Sequence, residues 1–448
     1  MDLFEQARPS VVVFFAKRTE TVAPEGEAEG KPRQVTHTQS GTGIVLHPDG
    51  YVLSNSHMLR FEGQRRALLA DGTECAVRVV ARDDPRDLAV LKLDAPRPLA
   101  PMPLGRSSDL MVGEPVVSLG NPFGFGLSMS EGIISGLGRS TTTEHARLTG
   151  MVQTTAGINP GMSGGPLLNI AGRMVGLCTS RKTEGEGLGF AIPIDAIRGA
   201  LPEVLAVERR YGFTLGLGVA EGGPAVVTEV SQGSPAEAAG IRPGDVVARI
   251  GDEEVSTGLD FHLALIERRG GESLPFVLRR EGRSIRVPVT LGTVPLRPAD
   301  EPQGLVPGVL FAHYHGRWKA LPDFGQLEPV AWGTMETFGL GKYKGRDAFA
   351  NLYTAYLRVP RDGVWVFYTR SDDGSRLRIG ERTVVDNDGL HPAAEARGFI
   401  PLRAGHHRIE VAFFEAGGDE ELEVFYEGPG VPRQPIPASA LHRTDRPE

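Results

Sequence analysis

The sequence predicts a mainly β protein of several domains, and three observations carry that expectation. From Gly43 to Ile194, short apolar runs are punctuated by glycine, as in Gly113-Glu-Pro-Val-Val-Ser-Leu-Gly120 and Gly172-Arg-Met-Val-Gly-Leu-Cys-Thr179. Runs of this length and spacing build two small antiparallel barrels with a cleft between them. A break follows at 295–308, with prolines at 295, 298, 302 and 307, and reads as a semi-rigid linker. Beyond it lie all three tryptophans and six of the eight tyrosines, so a separate aromatic-rich domain is expected. At 448 residues the chain exceeds what one hydrophobic core can serve.

Composition narrows the function classes. Hydrophobic content of 40%, charged content of 23% and the absence of a long apolar run describe a globular chain without a membrane-spanning helix. A net charge of −8 argues against nucleic acid as a partner. Cys75 and Cys178 each sit in a strand-like run and read as buried thiols rather than a bridge. The apolar run Val11 to Ala16 is too short for a signal peptide and has no basic region before it. Glu20 to Lys31, rich in Glu, Gly, Ala and Pro, reads as a mobile loop.

The chemistry centres on Gly157-Ile-Asn-Pro-Gly-Met-Ser-Gly-Gly-Pro-Leu167. A serine at 163 between glycines fits a hydroxyl on a tight loop whose backbone approaches a substrate closely. The amides of that loop, at Gly161, Met162 and Ser163, are the candidates for an oxyanion hole; those of Gly161 and Ser163 can converge on one point. A hydroxyl needs a base, and the base needs a group to hold its tautomer. His57 ends the run Tyr51-Val-Leu-Ser-Asn-Ser, and Asp87 stands before Leu88-Ala-Val-Leu-Lys-Leu93. The order His57, Asp87, Ser163 is that of chymotrypsin rather than of the α/β-hydrolases or subtilisins.

Six motifs in succession carry a family resemblance. They are Gly41-Thr-Gly43, Ser54-Asn-Ser-His57, Asp87-Leu-Ala-Val-Leu, Gly120-Asn-Pro-Phe-Gly124, Asn159-Pro-Gly-Met-Ser-Gly-Gly-Pro-Leu167 and Gly187-Leu-Gly-Phe-Ala-Ile-Pro193. Together they resemble the signatures of the HtrA/Deg serine proteases. The resemblance implies a chymotrypsin-like double β-barrel over 1–208, an endopeptidase that degrades unfolded or misfolded polypeptides, and homotrimers packed through the N-terminal segment. Phe4, Phe14 and Phe15 could do that packing, or could be ordinary core. It also implies work outside the cytoplasm, in the periplasm or cell envelope; with no leader visible, the cytoplasm stays open. The specificity pocket is expected from Ile158, Leu188 and Phe190, and Gly187 to Ile192 carries no charge, so cleavage after small or medium aliphatic residues follows. The family usually has Asn before the nucleophile, where this chain has Met162. That departure bears on the resting conformation of the oxyanion loop. No cofactor is required.

Pro193 to Tyr211 reads as a helical connector that Pro202 must break or at which it must start a new turn. Residues 209–294 then resemble a PDZ domain, in the pattern Val226 to Gly251, with Ser234 as helix cap and Pro235 as first helical residue. Such a domain adds a peptide as a strand and holds its C-terminal carboxylate. Phe213, Thr214, Leu215 and Gly216 are the expected carboxylate loop, although Leu217-Gly218 allows a two-residue slip. The other reading is a packing spacer.

Residues 309–437 alternate with period two in Asp362 to Thr369, Arg376 to Gly380, His406 to Phe414 and Glu421 to Tyr426, which predicts a C-terminal β-sandwich. Ser371-Asp-Asp-Gly-Ser-Arg-Leu377, Asp386-Asn-Asp-Gly389-Leu-His391 and Leu402-Arg-Ala-Gly-His406 resemble the protective-antigen-type (PA-14) domain. Some members of that family are calcium-dependent lectins, so the resemblance implies calcium at Asp372, Asp373 and Asn387 and carbohydrate as ligand. A tight hairpin turn is the plainer reading of Asp-Asp-Gly. Two functions from different classes stand at this point: an active serine endopeptidase, and a peptide- or carbohydrate-binding protein on a protease scaffold.

Overall fold

A computed structural model describes residues 2–22, 33–59, 64–142, 147–181 and 188–444. The chain divides into two compact units. The first comprises Met1–Leu205 with Glu221–Pro224 and Thr257–His262, and the second Ala206–Ala220, Ala225–Ser256 and Leu263–Glu448.

The first unit opens with α1 (Leu3–Ala7), capped by the Asp2 carboxylate. Six strands then close a barrel: β1 (Val11–Val22), β2 (Arg33–His47), β3 (Tyr51–Ser54), β4 (Gln64–Leu68), β5 (Glu74–Asp83) and β6 (Leu88–Leu93), in the order β1-β2-β3-β6-β5-β4. A second barrel follows: β7 (Pro115–Gly120), β8 (Ser128–Thr142), β9 (Arg147–Thr154), β10 (Pro166–Asn169), β11 (Met174–Arg181) and β12 (Gly189–Pro193), in the order β10-β11-β12-β9-β8-β7. Closure leaves no open edge, and each interior fills with alternate side chains. Val12, Phe14, Val45, Val52 and Leu91 fill the first; Val116, Ile134, Val152, Leu167 and Cys178 fill the second. Phe14 is thus core, while Phe4 and Phe15 are half-buried. Cys75 and Cys178 are buried free thiols. The loop expected at 20–31 begins as strand, since β1 reaches Val22, and the rest of it lies outside the described residues.

Pro202 does not break the connector. Helix α2 (Ile194–Leu205) runs through it, because Ile194, Ile197, Leu201, Val204 and Leu205 keep one face buried on both sides of the lost hydrogen bond. The break comes at Ala206, in the left-handed region at φ 44°, and a second helix α3 (Val207–Tyr211) starts there.

In the second unit, α4 (Pro235–Ala238) has Ser234 as its cap, its hydroxyl accepting from Glu237 N–H at 3.2 Å. A sheet ordered Glu253–Glu254, Val246–Ile250, Ser273–Arg280, Arg283–Thr290 packs Val247, Ile250, Phe276 and Leu278 inward. Leu217–Val219 pairs with Val227–Val230 as a separate hairpin. The C-terminal domain is a two-sheet sandwich. Phe349–Val359, Gly405–Glu415 and Ser375–Ile379 lie in a sheet of eight strands, and Gly363–Asp372 lies between Ala394–Leu402 and Glu421–Gly428 in a sheet of four. Trp365, Phe367, Tyr353 and Phe413 fill the space within it.

Residues 295–308, expected as a semi-rigid linker, are hydrogen-bonded to the sandwich. Arg297 N–H donates to Pro401 O at 2.9 Å, Asp300 N–H to His406 O at 2.8 Å, and Val306–Pro307 pairs with the strand Leu441–Arg443. The prolines fix an extended backbone that suits an edge.

Candidate active site

His57 lies in a 3-10 turn (Ser56–Leu59) just after β3, and Asp87 immediately before β6. β3 and β6 are neighbours with Ser54 opposite Ala89, so their ends bring the two side chains together. His57 Nδ1 is 2.9 Å from Asp87 Oδ1 and 3.0 Å from Oδ2, and His57 N–H donates to Oδ1 at 3.0 Å. Asp87 has φ 53°, a region that costs a residue with a Cβ about 1–3 kcal/mol and is held only where its surroundings dictate it. The surroundings are Asp87 N–H on Asp84 O at 3.0 Å and Asn55 Nδ2 on Asp87 O at 3.0 Å. Thr179, from β11 of the other barrel, donates its hydroxyl to Asp87 Oδ2 at 2.6 Å. Asp87 is buried, and three donors hold its carboxylate in one orientation.

Ser163 stands on the loop before β10. Its carbonyl accepts from Thr42 N–H at 2.9 Å, and its hydroxyl donates to the Thr179 carbonyl. Thr42 also donates its hydroxyl to Gly161 O at 2.7 Å, so one β2 residue ties both ends of the loop. Two glycines are obligatory. Gly161 has φ 96° with a Cβ position 2.2 Å from Asn121 O, and Gly164 has φ 83° with a Cβ position 2.0 Å from Thr42 O. The N–H groups of Gly161 and Ser163 have no acceptor among the described residues. Met162 differs: its N–H donates to Asn159 O at 2.9 Å and its side chain is buried in the second barrel's core. Met162 is therefore removed from the expected oxyanion donors, because its amide closes the loop's own turn.

For the specificity pocket, Ile158 is buried and packs on Gly189, whose Cβ position lies 2.9 Å from Ile158 Cδ1. Leu188 and Phe190 flank that glycine, one half-buried and one buried, and strand alternation turns them to the opposite face. Among the expected pocket residues, the structure brings Ile158 against Gly189.

Sequence reasoning missed Thr179, Thr42 and Asn55. Asn55 and Thr42 stood inside the Ser54-Asn-Ser-His57 and Gly41-Thr-Gly43 motifs, whereas Thr179 acts only through the packing of distant strands.

A trypsin-like peptidase domain is matched over residues 41–177, a PDZ domain over 211–291 and a PA14 domain over 328–439. Serine endoprotease DegS of Haemophilus influenzae is 31% identical over 265 residues, which cover 57% of this chain and 78% of that relative. This chain belongs to the HtrA/Deg family of serine proteases. A probable periplasmic serine endoprotease DegP-like of Hahella chejuensis is 34% identical, covering 57% of each chain. Protease Do-like 1, chloroplastic, of Arabidopsis thaliana is 32% identical, covering 57% of this chain and 64% of that one. A solved structure, HtrA-type protease AlgW with decapeptide, is 28% identical and covers 66% of this chain and 99% of its own, at a TM-score of 0.41. This HtrA/Deg protease is a serine endopeptidase with a PDZ and a PA14 domain.

Two further groups lie in the second unit of this protease. In the expected carboxylate loop, Phe213 and Leu215 are buried and Thr214 is exposed, while the amides of Leu215 and Gly216 both point at Glu208. In the PA14 domain, the Asp372, Asp373 and Glu415 carboxylates gather within 4.8 Å of one another. Asn387 does not join them; its Nδ2 donates to Ser371 Oγ at 3.0 Å and Ala394 O at 3.1 Å, pinning two paired strands. Nor is Asp372-Asp-Gly374 a hairpin turn, since Gly363–Asp372 and Ser375–Ile379 belong to different sheets and the three residues cross between them. Glu415 is fully buried, with Oε1 accepting from Gly417 N–H at 2.6 Å and Oε2 without a partner among the described residues. Burial, then the carboxylates of Asp373 and Asp372, push its pKa up to about 7. No local motif marked Glu415, which lies 42 residues beyond Asp373 on another strand.

Proposed function

We propose that this protease degrades unfolded polypeptides outside the cytoplasm, cutting after small or medium aliphatic residues, with His57, Asp87 and Ser163 as its catalytic residues. The Asp87 carboxylate bridging His57 Nδ1 and the Thr179 hydroxyl carries the reading. With its proton on Nδ1, His57 presents Nε2 as the base. Ser163 Oγ rotates from the Thr179 carbonyl to Nε2, gives up its proton and attacks the scissile carbonyl, while the N–H groups of Gly161 and Ser163 hold the oxyanion. His57 then protonates the departing amine, and water, activated by the same nitrogen, releases the acyl group. Ile158 against Gly189 favours a short apolar side chain in the pocket.

The test is digestion of a natively unfolded protein beside Ser163→Ala, with the cut sites read by mass spectrometry. Cuts after Ala, Val or Ile that vanish in the variant support the assignment. No cleavage, even with apolar C-terminal peptides present, would turn the reading to a binding scaffold.

The PDZ domain is proposed to take peptide C-termini at Leu215 and Gly216, and the assembly to be a homotrimer through the N-terminal segment, which leaves Phe4 and Phe15 as the half-buried aromatic candidates. The periplasmic relatives support an extracytoplasmic location. In the PA14 domain, Asp372, Asp373 and Glu415 fit a hard divalent cation: three carboxylates close together, one with a buried oxygen that lacks a partner. Calcium there would offer open coordination positions to sugar hydroxyls. Glycan binding that needs calcium and is lost in Asp373→Ala would establish the lectin role.

A further inference from the structure

The loop Phe213–Gly216 turns its polar groups two ways. The carbonyls of Leu215 and Gly216 point inward, accepting from Ala236 N–H at 3.1 Å and Ser231 N–H at 2.9 Å. Their N–H groups point the other way and meet a single carboxylate. Leu215 N–H donates to Glu208 Oε2 at 2.9 Å and Gly216 N–H to Glu208 Oε1 at 3.4 Å. Gly216 has φ 69°, and its Cβ position lies 2.4 Å from Ser234 Cβ, so no other residue fits. Successive amides around a left-handed residue form a nest for an anion.

The group in that nest has the same two oxygens on one carbon as a peptide's C-terminus. It is also held there. Helix α3 is bounded by Ala206 and Gly212, both left-handed, and Arg210 within it pairs with Glu427 of the sandwich at 2.6 Å. Tyr368 donates its hydroxyl to the same Glu427 oxygen at 2.9 Å, and the Arg209 guanidinium lies 5.2 Å from the Phe399 ring. Glu208 is thus presented by a short helix fastened to the C-terminal domain.

We propose that Glu208 is an internal ligand of the PDZ carboxylate loop, occupying the place of a substrate's C-terminal carboxylate until one displaces it. The inference rests on the PDZ reading above. Two carboxylates cannot share one pair of N–H donors, so an incoming terminus must move Glu208 out. The apparent affinity for C-terminal peptides is then lowered by the fraction of molecules in which the nest is filled.

The experiment uses the full chain carrying Ser163→Ala, so that probes are not cut. A fluorescein-labelled decapeptide with apolar C-terminal residues, as free acid and as C-terminal amide, is titrated and followed by polarisation. Glu208→Gln and Glu208→Ala are expected to bind the free acid at least about tenfold more tightly than the parent, with the amide unchanged, as for a nest about nine-tenths self-occupied. Glu427→Gln, which loosens the clamp on α3, shifts the free acid in the same direction by less. Equal affinities for the free acid in the parent, Glu208→Gln and Glu427→Gln overturn the inference and leave the PDZ reading standing. Failure of parent and variants alike to bind the free acid overturns both. Glu208→Gln keeps the side chain's shape and one acceptor, so it decides the matter if Glu208→Ala disturbs the loop.

Discussion

Thr179 connects the two barrels at their most sensitive point. Its hydroxyl is one of three donors to the Asp87 carboxylate, and it comes from the barrel that also carries Ser163. A hydrogen bond to a charged group contributes roughly 1.5–3 kcal/mol, so Thr179→Val should lower kcat by an order of magnitude or more with KM nearly unchanged. Thr179→Ser, which keeps the hydroxyl, should restore it; steady-state kinetics on a short peptide would decide. Met162 poses the opposite case. Its departure from the family's usual Asn suggested a disturbed oxyanion loop, yet the side chain packs in an apolar core and its backbone closes an ordinary turn. Met162→Leu should cost under about 1.5 kcal/mol, and Met162→Asn about 1–3 kcal/mol for an amide buried without partners. Urea titration measures both. The pairing of His57 with Asp87 and the glycine-bounded loop of Ser163 were legible because each lies in a short motif. Thr179 and Glu415 were not, because only strand pairing over tens of residues brings them to their sites.

At the scale of elements, the sequence read regular strands well and connections less well. The alternating runs Asp362 to Thr369 and His406 to Phe414 fall in the central strands Gly363–Asp372 and Gly405–Glu415. Pro202 is carried inside a helix because its local cost is outweighed by a buried helix face, and the edge pairing of the proline-rich segment is invisible in composition. Asp245 illustrates how one strand end is held. Arg280 engages both of its oxygens at 2.7 Å, and with Arg242 N–H at 2.9 Å it holds the carboxyl below the usual carboxylate range. A depressed folded-state pKa gives stability that is fully present above the unfolded value near 3.9 and is lost as pH falls through the folded one. Asp245→Asn should therefore unfold at lower denaturant than the parent at pH 7. The gap should narrow steadily below about pH 4 as the parent's carboxylate takes up its proton. A gap unchanged at pH 2.5 would mean that the loop's shape, not the ion pair, sets the difference.

Across the whole chain, the order of peptidase, PDZ and PA14 domains was readable because each has motifs within a few tens of residues, and the matched segments fall in the same order. What each domain binds is a separate matter, and the cation proposed for the PA14 domain gives a test that separates the domains. The proposed hydrolysis by Ser163 uses protein side chains of the first unit alone, so chelation with EDTA should leave cleavage of a short peptide unchanged. The sandwich should respond differently. Glu415 carries a buried oxygen without a partner among the described residues beside two further carboxylates, an arrangement that a bound cation would relieve. A ligand at a hundred times its Kd stabilises the folded state by about 2.7 kcal/mol. Calcium at that excess should raise the unfolding temperature of the C-terminal domain by several degrees at pH 7.5, followed by tryptophan fluorescence, since all three tryptophans lie in that domain. Glu415→Gln removes one charge and offers the buried site an amide, so its unfolding temperature without calcium should be at or above the parent's, and calcium should no longer raise it. A calcium shift that survives in both Glu415→Gln and Asp373→Asn would place the ion elsewhere. If the parent shows no shift at all, the three carboxylates have a structural role only.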